Sequence, residues 1–230
     1  MRLSPVMTPR GPFLGRMFLR ALFVAALALP GLALAAGATP PAGEPVEGTD
    51  YIVIDGGQPY RPLEPGIKAE VVEVFAYWCP HCAEFQPVLA PWVRTLPKDV
   101  RFTYVPAAFD LNDAFARGFF AAEAKGAVER THALVYDAVH HKGLLARNAT
   151  IDELAWFYGQ QGLGQAAMKA AMTSPAVDAL MQRAREFEVG IRLPGTPTMV
   201  GNGRYLITPR SHEDALRIAD QLIARLRAAH

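Results

Sequence analysis

The stretch that decides the fold lies between Glu70 and Cys82 and reads EVVEVFAYWCPHC. Residues 70–77 are mainly β-branched and aromatic, which is typical of a central strand buried on both faces. Pro80 suits the first turn of a helix, because the backbone N–H that proline lacks has no helical partner there. The stretch therefore predicts a buried strand that leads through Cys79 directly into a helix.

The residues after Cys82 continue this helix and then return to a strand. Apolar side chains recur at helical spacing, namely Phe85, Val88, Leu89, Trp92 and Val93. Pro87 and Pro91 interrupt the pattern, so we expect a kink or a break there. Residues 100–105 form the next predicted strand. A strand, helix and strand in this order predict a parallel pair joined by a right-handed crossover.

The remaining elements complete a mixed sheet with a helical insertion. Residues 51–54 predict a first strand, and residues 112–188 show only helical patterns. Residues 198–200 and 204–207 predict a hairpin, since Asn-Gly at its tip is a strong turn signal. We therefore predict an α/β fold with a mixed-sheet domain over residues 50–111 and 190–230, and an all-helical subdomain over residues 112–189.

Local sequence signals predict where several helices of this fold begin and which residues form part of its core. Thr150 and Glu153 form a capping box, and Ser174 with Pro175 opens another helix. Ser211 caps a C-terminal helix. Six aromatic side chains are expected in the core of the insertion: Phe115, Phe119, Phe120, Trp156, Phe157 and Tyr158. The alternative for a few of them is an apolar surface around Cys79 that binds unfolded chains.

Composition excludes several classes of protein. The chain has 230 residues, 51% of them apolar, which is ample for a buried core. Its 23 basic and 22 acidic residues give a net charge of +1, without the basic excess that nucleic-acid binding requires. Two cysteines are too few for a zinc ribbon or a disulfide-dense scaffold. No apolar run follows the N-terminal region, which excludes a multi-span membrane protein.

The N-terminal region predicts export. Residues 1–20 carry arginines and no acid, residues 21–35 are apolar, and Ala33-Leu34-Ala35 is a small-x-small cleavage site. We therefore expect a cleaved signal peptide over residues 1–35, translated from Met1 or Met17, then a flexible arm over residues 36–49. An uncleaved membrane anchor is the alternative, disfavoured by Pro30 and Gly31 within the apolar run. The mature protein would work outside the cytosol, where disulfides persist.

Cys79 and Cys82 are the candidate reactive groups. The first thiol of a Cys-x-x-Cys pair at a helix start lies near unpaired N–H groups and the positive end of the helix dipole, which favour its thiolate. His81 between the cysteines can add positive charge or a hydrogen bond. Half of a metal site and an inert structural disulfide remain alternatives, but we see no further ligands, and so small a loop adds little stability. We predict a redox-active disulfide and no metal.

Three further histidines have a simpler explanation than metal binding. His132, His140 and His141 are expected near a helix C-terminus, where cationic side chains are favoured without any ligand.

Two segments together resemble one known family. Residues 73–82 resemble the active-site segment of the DsbA family of thioredoxin-fold oxidoreductases, and residues 195–205 (GTPTMVGNGRY) resemble its cis-proline loop and hairpin. The similarity spans about residues 50–228 and implies that the mixed-sheet domain over residues 50–111 and 190–230 is thioredoxin-like. It implies a periplasmic, monomeric oxidoreductase that donates the Cys79–Cys82 disulfide to exported, unfolded proteins with free thiols. It also implies reoxidation by a DsbB-type membrane quinone reductase, without a soluble cofactor.

The resemblance also assigns roles beyond the cysteine pair. It places Pro80 and His81 in the active-site motif, and it makes Glu73 an acid beneath the second cysteine that relays a proton. The alternative for Glu73 is a strand-edge carboxylate that faces water. The lysine that pairs with this acid in the family would fall near Tyr104, so a tuned acid–lysine pair is not expected. Thr196-Pro197 is expected to be cis, with the Thr196 backbone pairing with substrate.

Two other functions compete with thiol oxidation. A reductase or isomerase uses the same fold, although an isomerase usually has a dimerisation domain, and only a short arm precedes Tyr51. A peptide-binding chaperone module with an idle Cys-x-x-Cys pair is the second alternative. A reduction potential distinguishes the first alternative, and a thiol-oxidation assay distinguishes the second.

Overall fold

A computed structural model describes residues 43–229 and contains the predicted mixed sheet. The predicted signal peptide and the first part of the arm lie outside these residues. The sheet has five strands, β1 (Tyr51–Val53), β2 (Ala69–Phe75), β3 (Val100–Pro106), β4 (Thr198–Gly201) and β5 (Tyr205–Ile207). Their order across the sheet is β1-β5-β4-β2-β3.

Strand β2 is central and fully buried, as its composition predicts. All seven of its residues are buried, because helices cover both faces of the sheet. It pairs in parallel with β3 and antiparallel with β4. The helix α1 (Pro80–Val93) connects β2 to β3, which confirms the predicted strand–helix–strand unit.

The tip of the β4–β5 hairpin has the conformation that Asn-Gly predicts. Asn202 and Gly203 both have positive φ angles, 48° and 65°. This is the requirement of a type I′ turn. A Cβ atom at residue 203 would also collide with the carbonyl oxygen of Gln58, so glycine is needed there for two reasons.

Helix α1 continues through both internal prolines, so of the expected kink or break, the break is wrong. Pro87 and Pro91 lie inside the single helix Pro80–Val93, and both are exposed. A proline removes one N–H donor from the helix. Because both prolines face solvent, water can hydrogen-bond to the carbonyl groups that lose their helical partner.

The chain between β3 and β4 is helical, as predicted. It contains α2 (Ala114–Ala124), α3 (Val128–His140), α4 (Ile151–Tyr158), a π-helical turn (Gly159–Leu163), α5 (Gln165–Met172) and α6 (Pro175–Gly190). The capping box is present, since Thr150 Oγ1 accepts from the Glu153 N–H and Glu153 Oε2 accepts from the Thr150 N–H. Ser174 caps α6, and Ser211 caps the final helix α7 (His212–Ala228).

The aromatic core of the insertion matches the sequence expectation at five of six positions. Phe115, Phe119, Phe120, Phe157 and Tyr158 are buried. The expectation for Trp156 is wrong, because this side chain is 44% exposed. The neighbours Leu154, Ala155, Phe157 and Tyr158 form the buried face of α4, which leaves Trp156 on the solvent side.

The end of the predicted arm contacts the C-terminal helix. Glu44 lies 3.1 Å from Arg225, and the Gln221 side chain donates to the Gly43 carbonyl at 2.8 Å. Gly43 and Glu44 thus contact α7. No helix within residues 43–229 combines the length and apolar character that crossing a membrane requires.

Candidate active site

Cys79 lies at the N-terminus of α1, where the end of β2 delivers it. It is the N-cap residue and Pro80 is the first helical residue, as the sequence predicts. The pKa of the Cys79 thiol is lowered to about 5, chiefly by a hydrogen bond from the Cys82 side chain. Partial burial opposes this effect, and hydrogen bonds from Thr196 and from the backbone N–H groups of Cys82 and His81 reinforce it. The site therefore stabilises a Cys79 thiolate.

Cys82 has the opposite environment, one helical turn further on. It is 0% exposed, whereas Cys79 is 5% exposed, and both are free thiols. Burial raises the pKa of the Cys82 thiol, and the hydrogen bond to Cys79 and the nearby Glu73 raise it further. The Ala76 N–H is its backbone donor, with the nitrogen 3.5 Å from Sγ. The pair thus combines one thiol that ionises readily with one that stays protonated.

Removal of the Cys82 donor is expected to raise the pKa of Cys79. Cys82→Ala removes the side chain whose hydrogen bond contributes most to the low pKa, whereas Cys82→Ser keeps a donor of similar size. Thiolate absorbance titrated against pH reports only Cys79 in both variants. We expect a midpoint at least one unit higher in the alanine variant, because hydrogen bonds to charged groups contribute about 1.5–3 kcal/mol. Equal midpoints in the two variants would contradict this account.

The loop before β4 brings Thr196 and Pro197 to Cys79. The Thr196–Pro197 bond is cis, as the resemblance implies, and Cys79 Sγ lies 3.3 Å from the Thr196 carbonyl oxygen. Strand β4 pairs with β2 as far as Thr198 opposite Val74, so the loop ends beside the start of α1. The Thr198 hydroxyl donates to the Gly195 carbonyl at 2.8 Å and closes the loop.

Glu73 is buried in the central strand, so the exposed strand-edge alternative is wrong. It is 1% exposed, and neither carboxyl oxygen has a hydrogen-bond partner among the described residues. Burial, and secondarily the charge of Cys79, raises its pKa to about 8. Tyr104 pairs with Glu73 in the β2–β3 register, at the position where the resemblance expected the missing lysine. The carboxyl group is therefore largely protonated at neutral pH.

His81 and Pro80 lie at the solvent side of the motif. The His81 imidazole is exposed, and its Nδ1 atom lies 3.2 Å from Glu84. The backbone N–H of His81, and not its imidazole, donates a hydrogen bond to Cys79 and lowers the pKa of that thiol. A Cys-x-x-Cys spacing cannot show this difference, because it does not fix where the intervening side chain points.

The three histidines of the insertion occupy different environments. The expectation that His132 lies near a helix C-terminus is wrong, since it is in the second turn of α3 and 4% exposed. Its Nδ1 atom lies 2.8 Å from the Tyr77 hydroxyl, while His140 Nε2 lies 2.7 Å from the Tyr77 carbonyl oxygen. Within residues 43–229, no group of three or more potential ligand side chains could hold a metal ion.

Asp113 is a residue of the site that sequence reasoning missed. It caps α2, and its carboxylate also accepts from the indole N–H of Trp78, next to Cys79, at 2.9 Å. Burial raises its pKa. Phe109, 48% exposed, lies with its ring 6.5 Å from that of Trp78. An aspartate just before a helical pattern is a capping signal, but its contact with Trp78 depends on the fold.

Comparisons with known proteins agree on one family. A family model described as Thioredoxin matches residues 65–221. The thiol:disulfide interchange protein DsbA of Pseudomonas aeruginosa is 35% identical over 188 residues, which cover 79% of this chain and 86% of that protein. The corresponding protein of Azotobacter vinelandii is 37% identical over 170 residues, covering 72% of this chain and 78% of that one.

Solved structures support the same assignment. The structure of the oxidoreductase DsbA from Xylella fastidiosa has a TM-score of 0.77 and 45% identity, covering 80% of this chain and 98% of its own. The structure of Pseudomonas aeruginosa DsbA has a TM-score of 0.72 and 33% identity. It covers 79% of this chain and 94% of its own. The chain belongs to the DsbA family, and it is a thiol:disulfide oxidoreductase with a thioredoxin fold and a helical insertion.

Proposed function

We propose that Cys79 and Cys82 form the disulfide that this protein donates to the thiols of exported, unfolded proteins in the periplasm. The observation that carries the proposal is the contrast between the two thiols, since the pKa of Cys79 is lowered to about 5 and that of Cys82 is raised. Stabilisation of the Cys79 thiolate stabilises the reduced pair. The disulfide is therefore expected to be a strong oxidant.

The exchange proceeds in two steps with balanced electrons and protons. A substrate thiolate attacks Cys79 Sγ, forming a mixed disulfide and breaking the Cys79–Cys82 bond, and Cys82 leaves as a thiolate that takes up a proton. A second substrate thiolate then attacks the substrate sulfur of the mixed disulfide, and Cys79 leaves. The substrate loses two electrons to the cysteine pair and two protons overall. The equivalent of one proton ends on Cys82, and the other goes to solvent because Cys79 leaves as a thiolate. The low pKa of Cys79 makes it a good leaving group in the second step.

Thr196, Pro197 and Glu73 complete the proposed site. The Thr196 backbone, 3.3 Å from Cys79 at its carbonyl oxygen, would pair with an extended substrate segment by strand addition. Glu73, buried and largely protonated at neutral pH, would supply the proton that Cys82 takes up. Pro80 sets the helix start that holds Cys79.

Reoxidation and location complete the proposal. The reduced pair would pass its electrons to a DsbB-type membrane quinone reductase by the same exchange chemistry, so no soluble cofactor is needed. Residues 1–35 would act as a signal peptide cleaved on export to the periplasm. The division into a thioredoxin-like domain and a helical subdomain at residues 112–189 belongs to the same proposal, as does a monomeric state.

The test is a redox titration of the purified mature protein against glutathione. We expect a reduction potential far above the value of about −270 mV that is typical of thioredoxin. A potential near that of thioredoxin would favour the reductase alternative. An oxidising potential without any oxidation of a reduced, unfolded substrate would favour the chaperone alternative.

The variant His81→Ala is expected to make the protein a weaker oxidant. The variant keeps the backbone N–H that acts on Cys79 and removes only the imidazole. Because the imidazole is exposed and pairs with Glu84, we expect a smaller rise in the pKa of Cys79 than Cys82→Ala causes. Parallel measurement of the potential and the thiolate titration checks this. Unchanged values would show that the imidazole does not contribute and that the Cys82 side chain, Thr196 and the backbone N–H groups carry the effect.

A further inference from the structure

A buried polar cluster lies behind Cys82, between the sheet and the helical insertion. We call it the His132 cluster, and its members are Glu73, Tyr77, Tyr104, His132 and Tyr136. The His132 ring lies at its centre, with centroid distances of 4.4 Å to Tyr104, 5.1 Å to Tyr77 and 5.2 Å to Tyr136. Strand β2, strand β3 and helix α3 all contribute to it.

His132 uses only one of its two ring nitrogens in a hydrogen bond. Nδ1 lies 2.8 Å from the Tyr77 hydroxyl, whereas the buried Nε2 atom has no partner among the described residues. A neutral imidazole has one donor and one acceptor nitrogen. When the Tyr77 hydroxyl donates to Nδ1, Nε2 must carry the hydrogen. His132 then presents an unused N–H donor inside the cluster.

The His132 ring packs on residues that are themselves neighbours of Glu73. Tyr104, on which the His132 ring packs, is the partner of Glu73 in the β2–β3 register. Phe75 lies two residues after Glu73, on the same face of β2, and its ring centroid is 4.9 Å from that of His132. Both Glu73 oxygens and the Tyr136 hydroxyl are also buried without partners. Unpaired polar groups are costly to bury, so their concentration here requires an explanation.

No cation among the described residues faces Glu73. The titratable groups that interact electrostatically with it are Cys79 and Cys82 of α1, Tyr104 of β3, Tyr77 after β2 and Tyr136 of α3. The paired β4 residue is Met199. His132 packs on three of these side chains, Tyr77, Tyr104 and Tyr136. Burial lowers the pKa of His132 to about 3, so its ring is neutral. A negative charge on Glu73 can therefore be stabilised only by neutral donors.

We propose that His132 is a positioning residue for thiol exchange, whose Nε2–H donates a hydrogen bond to the Glu73 carboxylate formed when Glu73 gives its proton to the departing Cys82 thiolate. This rests on the proposed function. One S–S bond breaks, the proton moves from Glu73 to Cys82, and no proton leaves His132. The helical insertion thus contributes a group to the redox chemistry, through α3.

The test measures the ionisation of Glu73 directly in the reduced, full-length mature protein. The infrared band of the protonated carboxyl group, identified by its loss in Glu73→Gln, is titrated against pH. His132→Phe keeps a ring but removes the donor, and we expect the pKa of Glu73 to rise by about one unit, a tenfold change in proton affinity. His132→Gln retains an N–H donor and is expected to restore much of the wild-type value.

Two further variants make the outcome decisive. Tyr77→Phe removes the hydroxyl that orients Nδ1, so it is expected to raise the pKa of Glu73 by a smaller amount, and it serves if His132→Phe does not fold. His140→Gln is the matched control on the same helix, since His140 bonds to the Tyr77 carbonyl and is expected to leave the Glu73 titration unchanged. A Glu73 pKa that is unchanged in Tyr77→Phe, and in His132→Phe where that variant folds, would overturn the proposal. Equal rises in His132→Phe and His132→Gln would overturn it as well.

This titration needs no substrate. If Cys79 and Cys82 fail to oxidise thiols, the proposed function fails while the Glu73 band still reports whether His132 acts on the carboxylate. If oxidation proceeds and the band does not respond to the His132 and Tyr77 variants, only the further inference fails.

Discussion

Cys79→Ser is expected to abolish catalysed thiol oxidation, leaving only the background rate of uncatalysed exchange. The variant removes the sulfur that a substrate thiolate attacks and the leaving group of the second step. It also leaves Cys82 as the one remaining cysteine of the chain, so no internal disulfide can form. Oxidative refolding of a reduced, unfolded protein substrate is the measurement. Catalysis retained by Cys79→Ser would contradict the proposed function.

Cys82→Ser provides the matched control. It also lacks the internal disulfide, but it keeps the Cys79 thiolate, so it should still attack a substrate disulfide and accumulate a mixed disulfide. We expect trapped adducts with Cys82→Ser and none with Cys79→Ser, because Cys82 is 0% exposed and its thiol resists ionisation. Equal trapping by both variants would contradict the assignment of Cys79 as the attacked sulfur.

Glu73→Gln is expected to stabilise the reduced protein at pH 8 far more than at pH 5. Burial raises the pKa of Glu73 from 4.5 to about 8 in the folded protein. Between these values the unfolded chain loses the proton and the folded protein keeps it, so the free energy of unfolding falls as pH rises. Glutamine cannot ionise, so the free energy of unfolding of the variant does not fall with pH for this reason.

The expected difference is large because the shift spans several pH units. Each unit corresponds to about 1.4 kcal/mol, so the gain at pH 8 relative to pH 5 is on the order of a few kcal/mol. Urea unfolding of both proteins at the two pH values gives this difference. Contributions from Cys79 and from Glu188, whose pKa burial raises to about 7, are present in both proteins and largely cancel.

Glu70 offers a control on the same strand. It is equally buried, but it accepts from the Arg101 guanidinium at 3.0 Å and from the Thr103 hydroxyl at 2.8 Å. Glu70→Gln breaks a buried ion pair, so it is expected to destabilise the protein at both pH values. A gain from Glu73→Gln that does not grow with pH would show that Glu73 is not an isolated buried acid.

Local sequence signals were sufficient for much of the fold because they act over a few residues. Thr150, Ser174 and Ser211 cap helices as predicted, since each cap depends on a side chain and an N–H within one turn. Asn202-Gly203 predicted the hairpin because both positions require positive φ. The run before Cys79 predicted the central strand, since a strand covered on both faces is apolar at most of its positions.

Other features depend on which faces the fold buries. Trp156 is exposed, and α1 passes through Pro87 and Pro91, because the direction of each side chain relative to the core decides its environment. Periodicity shows that a helix forms, but it does not show whether a particular proline or tryptophan faces solvent.

The Cys-Pro-His-Cys segment is enough to predict thiol–disulfide exchange, whereas the pKa values of the groups in the site depend on how distant segments pack. A Cys-Pro-His-Cys segment between a buried strand and a helix places one thiol at the helix terminus, whatever surrounds it. The burial of Cys82, the unpaired carboxyl of Glu73 and the position of His132 arise where β2, β3, α1 and α3 meet. Desolvation depends on all the atoms around a group, and these come from segments far apart in the chain.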